Sequence, residues 1–266
     1  MVSMEERPVR IVLVGAGNLA THLGCALQDA GHHIVQVFSR TIESAQWLGE
    51  RLNAPATTRL EDVAIDADAY IIAVKDSALA QVVETLGKGG AEGVLMHTAG
   101  SMPMSVFQGH AAHYGVLYPM QTFSKGKEVD FSDIPVFVEA SDALADAVIQ
   151  RLARSVSGSV YQVSSAQRRY IHLSAVFACN FVNHCYALSA DILAEHGVPF
   201  SVMLPLIDET ARKVHLMEPR KAQTGPAVRY DENVMGRHLD LLKEHADMAE
   251  LYQLMSKSIH QHQRND

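Results

Sequence analysis

The chain has 266 residues, 48% of them hydrophobic, with a formal net charge of −8 and a pI near 5.9. That length holds one large or two modest domains around a substantial core, and the acidic balance argues against a nucleic-acid or anionic-membrane partner, either of which needs a basic surface. The three cysteines, Cys25, Cys179 and Cys185, lie in apolar helical contexts without C-x-x-C spacing and read as buried thiols of a reducing compartment. The N-terminal MVSMEERPVR lacks the apolar centre of a signal peptide, and no run of about 18 apolar residues occurs, so a soluble cytoplasmic protein is expected.

Val9 to Val14 is a near-continuous apolar run, the pattern of a parallel strand buried on both faces. Gly15, Gly17 and Ala20 follow with the spacing G-x-G-x-x-A, with Ala16, Asn18 and Leu19 between them. In such a strand, turn and helix the first glycine makes the tight turn. The second admits a pyrophosphate to the backbone, and the third small residue lets helix and strand pack closely. Gly24 extends the same small face by one turn. A second strand, His33 to Ser39, ends at Ser39-Arg40-Thr41, where an NAD site usually carries Asp or Glu for the ribose hydroxyls. A guanidinium and two hydroxyls without a carboxylate favour the 2′-phosphate of NADP. Arg40 as a solvated loop residue and Thr41 as the cap of the next helix are compatible with that role.

Thr41 to Leu52 is predicted as a helix, with a short strand near Ala56 to Thr58. Asp68 to Val74 is a buried strand ending at Lys75-Asp76-Ser77, which opens a helix over Ala78 to Leu86. Ligands of open parallel sheets bind outside the carboxyl ends of the strands, so Val74, Lys75 and Ser77 are expected beside the cofactor. By the same rule the strand Gly93 to Thr98 delivers His97 and Ser101 to the ligand edge. The strand His113 to Tyr118 delivers the uncharged loop Pro119 to Ser124, with Gln121 a candidate substrate contact. Each of these segments is equally suited to closing an ordinary turn. Ile134 to Glu139 and Ser159 to Val163 read as two last strands around a helix over Ala143 to Ser155. The fold expected is α/β, a doubly wound, mostly parallel sheet over 1–164, followed by an all-α domain over 165–266.

In the second part Ser165 to His196 reads as one helix of about 30 residues, roughly 45 Å long, stopped by Gly197. A small domain cannot cover so long a helix, which suggests packing across a homodimer interface. Pro199 to Met217, Asp231 to Lys243 and Glu244 to Ile259 are further helices, with a restart near Thr224. On the long helix His172, Asn180 and Asn183 stand among apolar residues. At about 100° per residue they share one broad face, with His172 and Asn180 about 12 Å apart along the axis. Such a stripe meets either cofactor and substrate or only backbone carbonyls and water. Around Thr224 and Arg229, a helix N-terminus beside an arginine suits an anionic group; alternatively Thr224 is a cap and Arg229 pairs with Asp231 or Glu232. No metal-ligand spacing and no G-x-S-x-G nucleophile motif occurs, so no metal is expected. Hydride transfer fits better, because there the cofactor carries the chemistry and the protein supplies orientation and a proton.

The stretches VGAGNLATHL, FSRT, IIAVKDSAL, HTAGS, LYPMQTFS, HLSAVFACNF and TGPAVRYD resemble one group over nearly the whole chain. These are Rossmann-type NADP oxidoreductase-like proteins whose helical C-terminal half is a domain of unknown function. The resemblance implies an N-terminal NADP domain and a helical dimerisation domain, without a settled substrate. More distantly the layout resembles pyrroline-5-carboxylate reductase and the β-hydroxyacid dehydrogenases. In the latter comparison the catalytic-helix asparagine falls on Asn180 and the catalytic lysine on Val176, which cannot donate a proton. TGPAVRYD keeps only a Gly-Pro-Ala core of the reductase's serine-glycine motif.

Two functions follow. The first is an NADPH-dependent reductase of a small anionic carbonyl or imine compound. Gly15, Gly17 and Arg40 bind NADP, Ser101 and Asn180 position the reactants, and His172 is the general acid. Gln121, Asn183, Thr224 and Arg229 contact substrate. The second is a non-catalytic NADP-binding or redox-sensing protein, which the missing lysine allows.

Overall fold

The computed structural model describes residues 7–124 and 126–263, which divide between Ala178 and Cys179 into two compact units. The first contains β1 (Arg10–Val14), β2 (His33–Phe38), β3 (Ala56–Thr57), β4 (Ala69–Ile72), β5 (Val94–His97), β6 (Tyr114–Pro119), β7 (Val136–Ala140) and β8 (Val160–Gln162). They form one sheet in the order β3-β2-β1-β4-β5-β6-β7-β8. Neighbours are parallel except β6 and β7, which run antiparallel and need no crossover helix between them.

Residues alternate across β1, and that sorts the core. Ile11 and Leu13 point into a cluster with Leu23, Leu27, Leu48, Leu52, Ile149 and Leu152. These come from α1 (Asn18–Asp29), α2 (Ile42–Arg51) with its C-terminal residue, and α4 (Ala143–Val156). Val12 and Val14 point the other way, into a cluster with Leu79, Val83 and Leu86 of α3 (Asp76–Lys88). Helices thus cover both faces, and the strand order reverses between β1 and β4, which opens a crevice at the carboxyl ends of the strands.

The expected single helix over Ser165 to His196 is instead three segments: α5 (Ser165–Ala175), a π-helical stretch Val176–Phe181, and α6 (Val182–Glu195). The wider i to i+5 turn advances each residue by less than the 100° of an α-helix, so the constant angular step does not hold through 176–181. The boundary between the two units falls inside this stretch. His172 therefore belongs to the first unit, and Asn180 and Asn183 belong to the second.

From Cys179 to Gln263 the described elements are all helical. After α6 come α7 (Leu204–Leu216), α8 (Pro219–Ala222), α9 (Pro226–Arg229), α10 (Glu232–Leu241) and α11 (Ala246–Gln263). His238 Nδ1 and the Tyr252 hydroxyl, 2.9 Å apart, tie α10 to α11. Ala227 is the one buried apolar residue among those described in this unit, while Leu206, Leu216 and Leu241 are 64%, 81% and 78% exposed. No described helix is long and apolar enough to cross a membrane.

Two local expectations change. The restart near Thr224 begins at Pro226, with Gly225 at φ 113° as the N-cap in place of Thr224, and the helix lasts four residues. One turn aligns too few peptides for a useful dipole. Asp231 spends its carboxylate on the Val234 N–H at the start of α10. The three cysteines are free but half-buried rather than buried. Cys25 lies within α1 at the margin of the core, where Arg51 Nε donates to its sulfur at 3.2 Å.

Candidate functional site

The crevice begins at the turn after β1. Gly15 adopts φ +123°, and a Cβ there would stand 2.3 Å from the Ala73 carbonyl oxygen, so this position demands glycine. Its N–H donates to the Phe38 carbonyl at 2.8 Å, which seats the turn between the ends of β2 and β4. Ala16 and Ala20 are buried. Gly24 packs close, since a Cβ there would meet Leu13 at 2.6 Å and Leu52 at 2.9 Å.

Gly17 is different. It caps α1 without any side-chain hydrogen bond, is exposed, and a Cβ on it would meet no atom within 4 Å. The glycine therefore clears a space over the first-turn N–H groups of Asn18 and Leu19, the shape and polarity that a pyrophosphate requires. The Asn18 side chain turns away, donating to the Phe123 carbonyl at 2.8 Å, and His22 Nε2 lies 2.9 Å from the Ser124 carbonyl. Together they dock the loop after β6 onto α1.

At the tip of β2, Ser39 N–H donates to the Thr57 carbonyl at 3.1 Å, and Thr41 is the N-cap residue of α2, its hydroxyl donating to Ser44 at 2.9 Å. Arg40 is exposed and has no hydrogen-bond or ion-pair partner among the described residues. The guanidinium is thus free to meet an anion. Beyond β4, Val74 is half-buried while Lys75 and Ser77 are exposed at the start of α3. The Ser101 hydroxyl donates to the Asp76 carboxylate, which ties the loop after β5 to the first turn of α3. Gln121 is exposed and folds back to accept from the Thr122 N–H at 2.8 Å.

His97, at the end of β5, is fully buried. Its Nδ1 accepts from the Ala99 N–H at 3.1 Å and its ring stacks on Phe107. Burial, reinforced by the charge of Arg168, pulls its pKa down to about 4, so the ring stays neutral at pH 7 and has no role as a cationic acid.

His172 is built into the same edge by three segments. A Cβ on Gly100 would lie 2.6 Å from its Nδ1 and 2.7 Å from its Cγ, so the ring rests against the glycine's Cα. The hydroxyl of Tyr118, from β6, is 3.1 Å from Nδ1. The helix itself is anchored by Arg168, one turn before His172 on the same face and 0% exposed. Its guanidinium donates to Glu139 of β7 and, at 2.6 Å, to the Met102 carbonyl. Ser165 adds its N–H at 2.8 Å and its hydroxyl at 2.7 Å to the same carboxylate. Burial opposes ionisation of Glu139, but these hydrogen bonds from Ser165 and Arg168 outweigh it and hold its pKa below the ordinary value.

The first unit therefore brings together the glycine turn, Ser39 to Thr41, Val74 to Ser77, Ser101 and His172 along one sheet edge. In the second unit Asn180, Asn183, Thr224 and Arg229 are exposed, and Arg229 has no hydrogen-bond or ion-pair partner among the described residues. The sequence pattern carries Gly100 and Asp76 to the ligand edge without giving them a role, and leaves Tyr118, Glu139 and Arg168 unmarked. For Arg168 a signal existed: it stands four residues before His172, and an i, i+4 pair shares one helix face.

Comparison with known proteins agrees with this layout. A Rossmann-like domain model matches residues 2–119, and the domain of unknown function DUF2520 matches 134–259. A candidate NADP oxidoreductase from Bacteroides fragilis is 53% identical, covering 97% of this chain and 100% of its own, with a TM-score of 0.92. A Thermotoga maritima protein shares the fold at 20% identity and TM-score 0.74, covering 93% and 99%. An imine reductase from Myxococcus stipitatus in complex with NADP+ shares it at 15% and 0.66, covering 97% and 93%. No curated protein matches the chain.

Proposed function

The chain belongs to the family that joins a Rossmann-like domain to a DUF2520 domain, represented by the Bacteroides fragilis protein, and from this premise we propose that it is an NADPH-dependent reductase of small anionic carbonyl or imine compounds. The observation that carries the proposal is His172, held against Gly100 and Tyr118 at the edge of the sheet that begins with the glycine turn. NADP is supported by the cleared space at Gly17, by a free Arg40 between two hydroxyls at the end of β2, and by the cofactor attributed to the relatives.

In this proposal the first-turn N–H groups of α1 bind the pyrophosphate, Ser39, Arg40 and Thr41 bind the 2′-phosphate, and Val74, Lys75 and Ser77 flank the same edge. NADPH, when bound, supplies the hydride. The protein's own work is to hold Ser101 through Asp76 and to deliver a proton from the His172 imidazole to the oxygen or nitrogen of the reduced double bond. Asn180, Asn183, Gln121, Thr224 and Arg229 are assigned to substrate on the sequence pattern. The protein is read as a cytoplasmic homodimer, with a cofactor domain over 1–164 and a substrate and dimerisation domain over 165–266, of which α5 with His172 packs in one compact unit with the sheet. The exposed leucines of α7, α10 and α11 support dimerisation. A monomer by light scattering at micromolar concentration would remove that part.

The test is NADPH oxidation across small 2-oxo acids and cyclic imine carboxylates. We expect turnover with at least one, and a loss of about 10²–10⁴ in H172Q at unchanged NADPH affinity. Wild-type turnover in H172Q would exclude the proton-donor role. Tight NADPH binding with no oxidation of any compound would favour the second reading, a non-catalytic NADP-binding protein, for which Val176 in place of a lysine is the specific ground.

A further inference from the structure

We propose that Tyr118 is the positioning residue of His172: its hydroxyl donates to Nδ1, holds the imidazole as the Nε2–H tautomer, and leaves Nε2–H as the ring's proton for the reacting group. A neutral imidazole has one donor and one acceptor nitrogen, and the contact alone is compatible with either direction. The surroundings of Tyr118 decide it. The ring is half-buried, packed against Phe137 with centroids 6.2 Å apart, and meets His172 edge-on at 73°. Among the described residues His172 Nδ1 is the one acceptor within hydrogen-bond distance of the Tyr118 hydroxyl. A half-buried hydroxyl that kept its proton from that nitrogen would have no protein acceptor among the described residues and only solvent to donate to. Burial also raises the pKa of Tyr118, against a smaller opposing effect of Arg168, so the phenol retains its proton at neutral pH.

The remaining ring atoms are accounted for in the same way. Gly100 closes the Nδ1–Cγ side of the ring, since any side chain there would overlap Nδ1 and Cγ. Arg168 fixes the rotation of α5 through Glu139 and Met102. Nε2 has no hydrogen-bond partner among the described residues and does not stand among the buried unpaired atoms, so it faces accessible space. As Nε2–H passes to the reacting group the Tyr118 proton passes to Nδ1, so the ring stays neutral and the charge ends on the phenolate, which solvent reprotonates; the proton given sits on the one nitrogen that nothing in the first unit occupies. The assignment rests on His172 as the proton donor, and its test is independent of turnover.

In the full-length protein with 15N-labelled histidine, long-range 1H–15N correlation reports which ring nitrogen of His172 carries the proton, with the signals assigned by their loss in H172Q. The expected result is a protonated Nε2 and a hydrogen-bonded acceptor Nδ1. Y118F should move the Nδ1 signal toward that of an unbonded acceptor while NADPH affinity stays within about two-fold of wild type. Should Y118F fail to fold, G100A keeps the hydroxyl but displaces the ring, and should move the same Nδ1 signal. A protonated Nδ1 in the wild type, or an Nδ1 signal that neither variant moves, overturns the assignment. If the expected tautomer is found but H172Q reduces an imine probe at the wild-type rate, it is the proton-donor reading that falls.

Discussion

Replacing Gly100 by alanine tests how tightly His172 is built into the sheet edge. The added methyl would stand 2.6 Å from Nδ1, 2.7 Å from Cγ and 2.9 Å from Cβ of His172. Ordinary non-bonded contact is about 3.5 Å, so the ring must retreat by roughly 0.9 Å. The helix cannot absorb that movement easily, because Arg168 and Ser165 fasten α5 to Glu139 and Met102. The ring therefore swings and gives up the Tyr118 hydroxyl. Overpacking costs about 1–3 kcal/mol and the lost hydrogen bond about 1 kcal/mol. With one side of the ring accessible, the lower end applies, about 2 kcal/mol in total. Urea denaturation of the full chain, followed by circular dichroism, measures it. G100A with a wild-type midpoint and an unchanged His172 Nδ1 resonance would refute the packing argument.

Gly15 and Gly17 should part company: G15A, with φ +123° and a carbonyl at 2.3 Å, should lose more than about 2 kcal/mol, whereas G17V should fold normally and lose NADPH binding at least about ten-fold by fluorescence titration. R168M leaves the Glu139 carboxylate without its guanidinium and should cost about 3–5 kcal/mol in denaturant, part of which the double variant R168M/E139Q restores. His97 couples stability to acid. Its pKa is 6.5 unfolded and about 4 folded, so its contribution is complete above pH 6.5, declines as the unfolded state takes up a proton, and levels off below pH 4, a loss of about 2 kcal/mol by pH 5. H97F, which keeps an aromatic ring beside Phe107, should lose that much less stability than wild type between pH 7 and pH 5. Parallel slopes would contradict the burial argument.

What could be read from the chain was what neighbours in sequence decide. The β1 turn, Gly24 and the strand ends depend on spacing over a few residues, and the structure holds them where the pattern puts them. The alternation of Ile11 and Leu13 with Val12 and Val14 likewise fixes which helices share a core. Contacts between distant segments left no such trace. The Tyr118–His172 pair is 54 residues apart and the Arg168–Met102 contact 66. Only the i, i+4 spacing to His172 sets the buried Arg168 apart from the exposed Arg169 beside it, and nothing local names Glu139 or Met102 as its partners. The π-helical stretch was illegible for another reason: one wider turn leaves the apolar content of a helix unchanged while altering which residues share a face. Asn18 was assigned to cofactor from its place in the fingerprint, but its side chain serves the loop at Phe123, and only its backbone N–H remains for a phosphate.

The central claim is that the crevice is an NADP site, and the most direct measurement is a fluorescence titration of the full chain with NADPH and with NADH under the same conditions. With Arg40 free at the end of β2 and no carboxylate beside it, NADPH should bind at least about ten-fold more tightly, and R40A should bring the two affinities together. Equal affinities in the wild type, tighter NADH, or no binding of either would contradict the account.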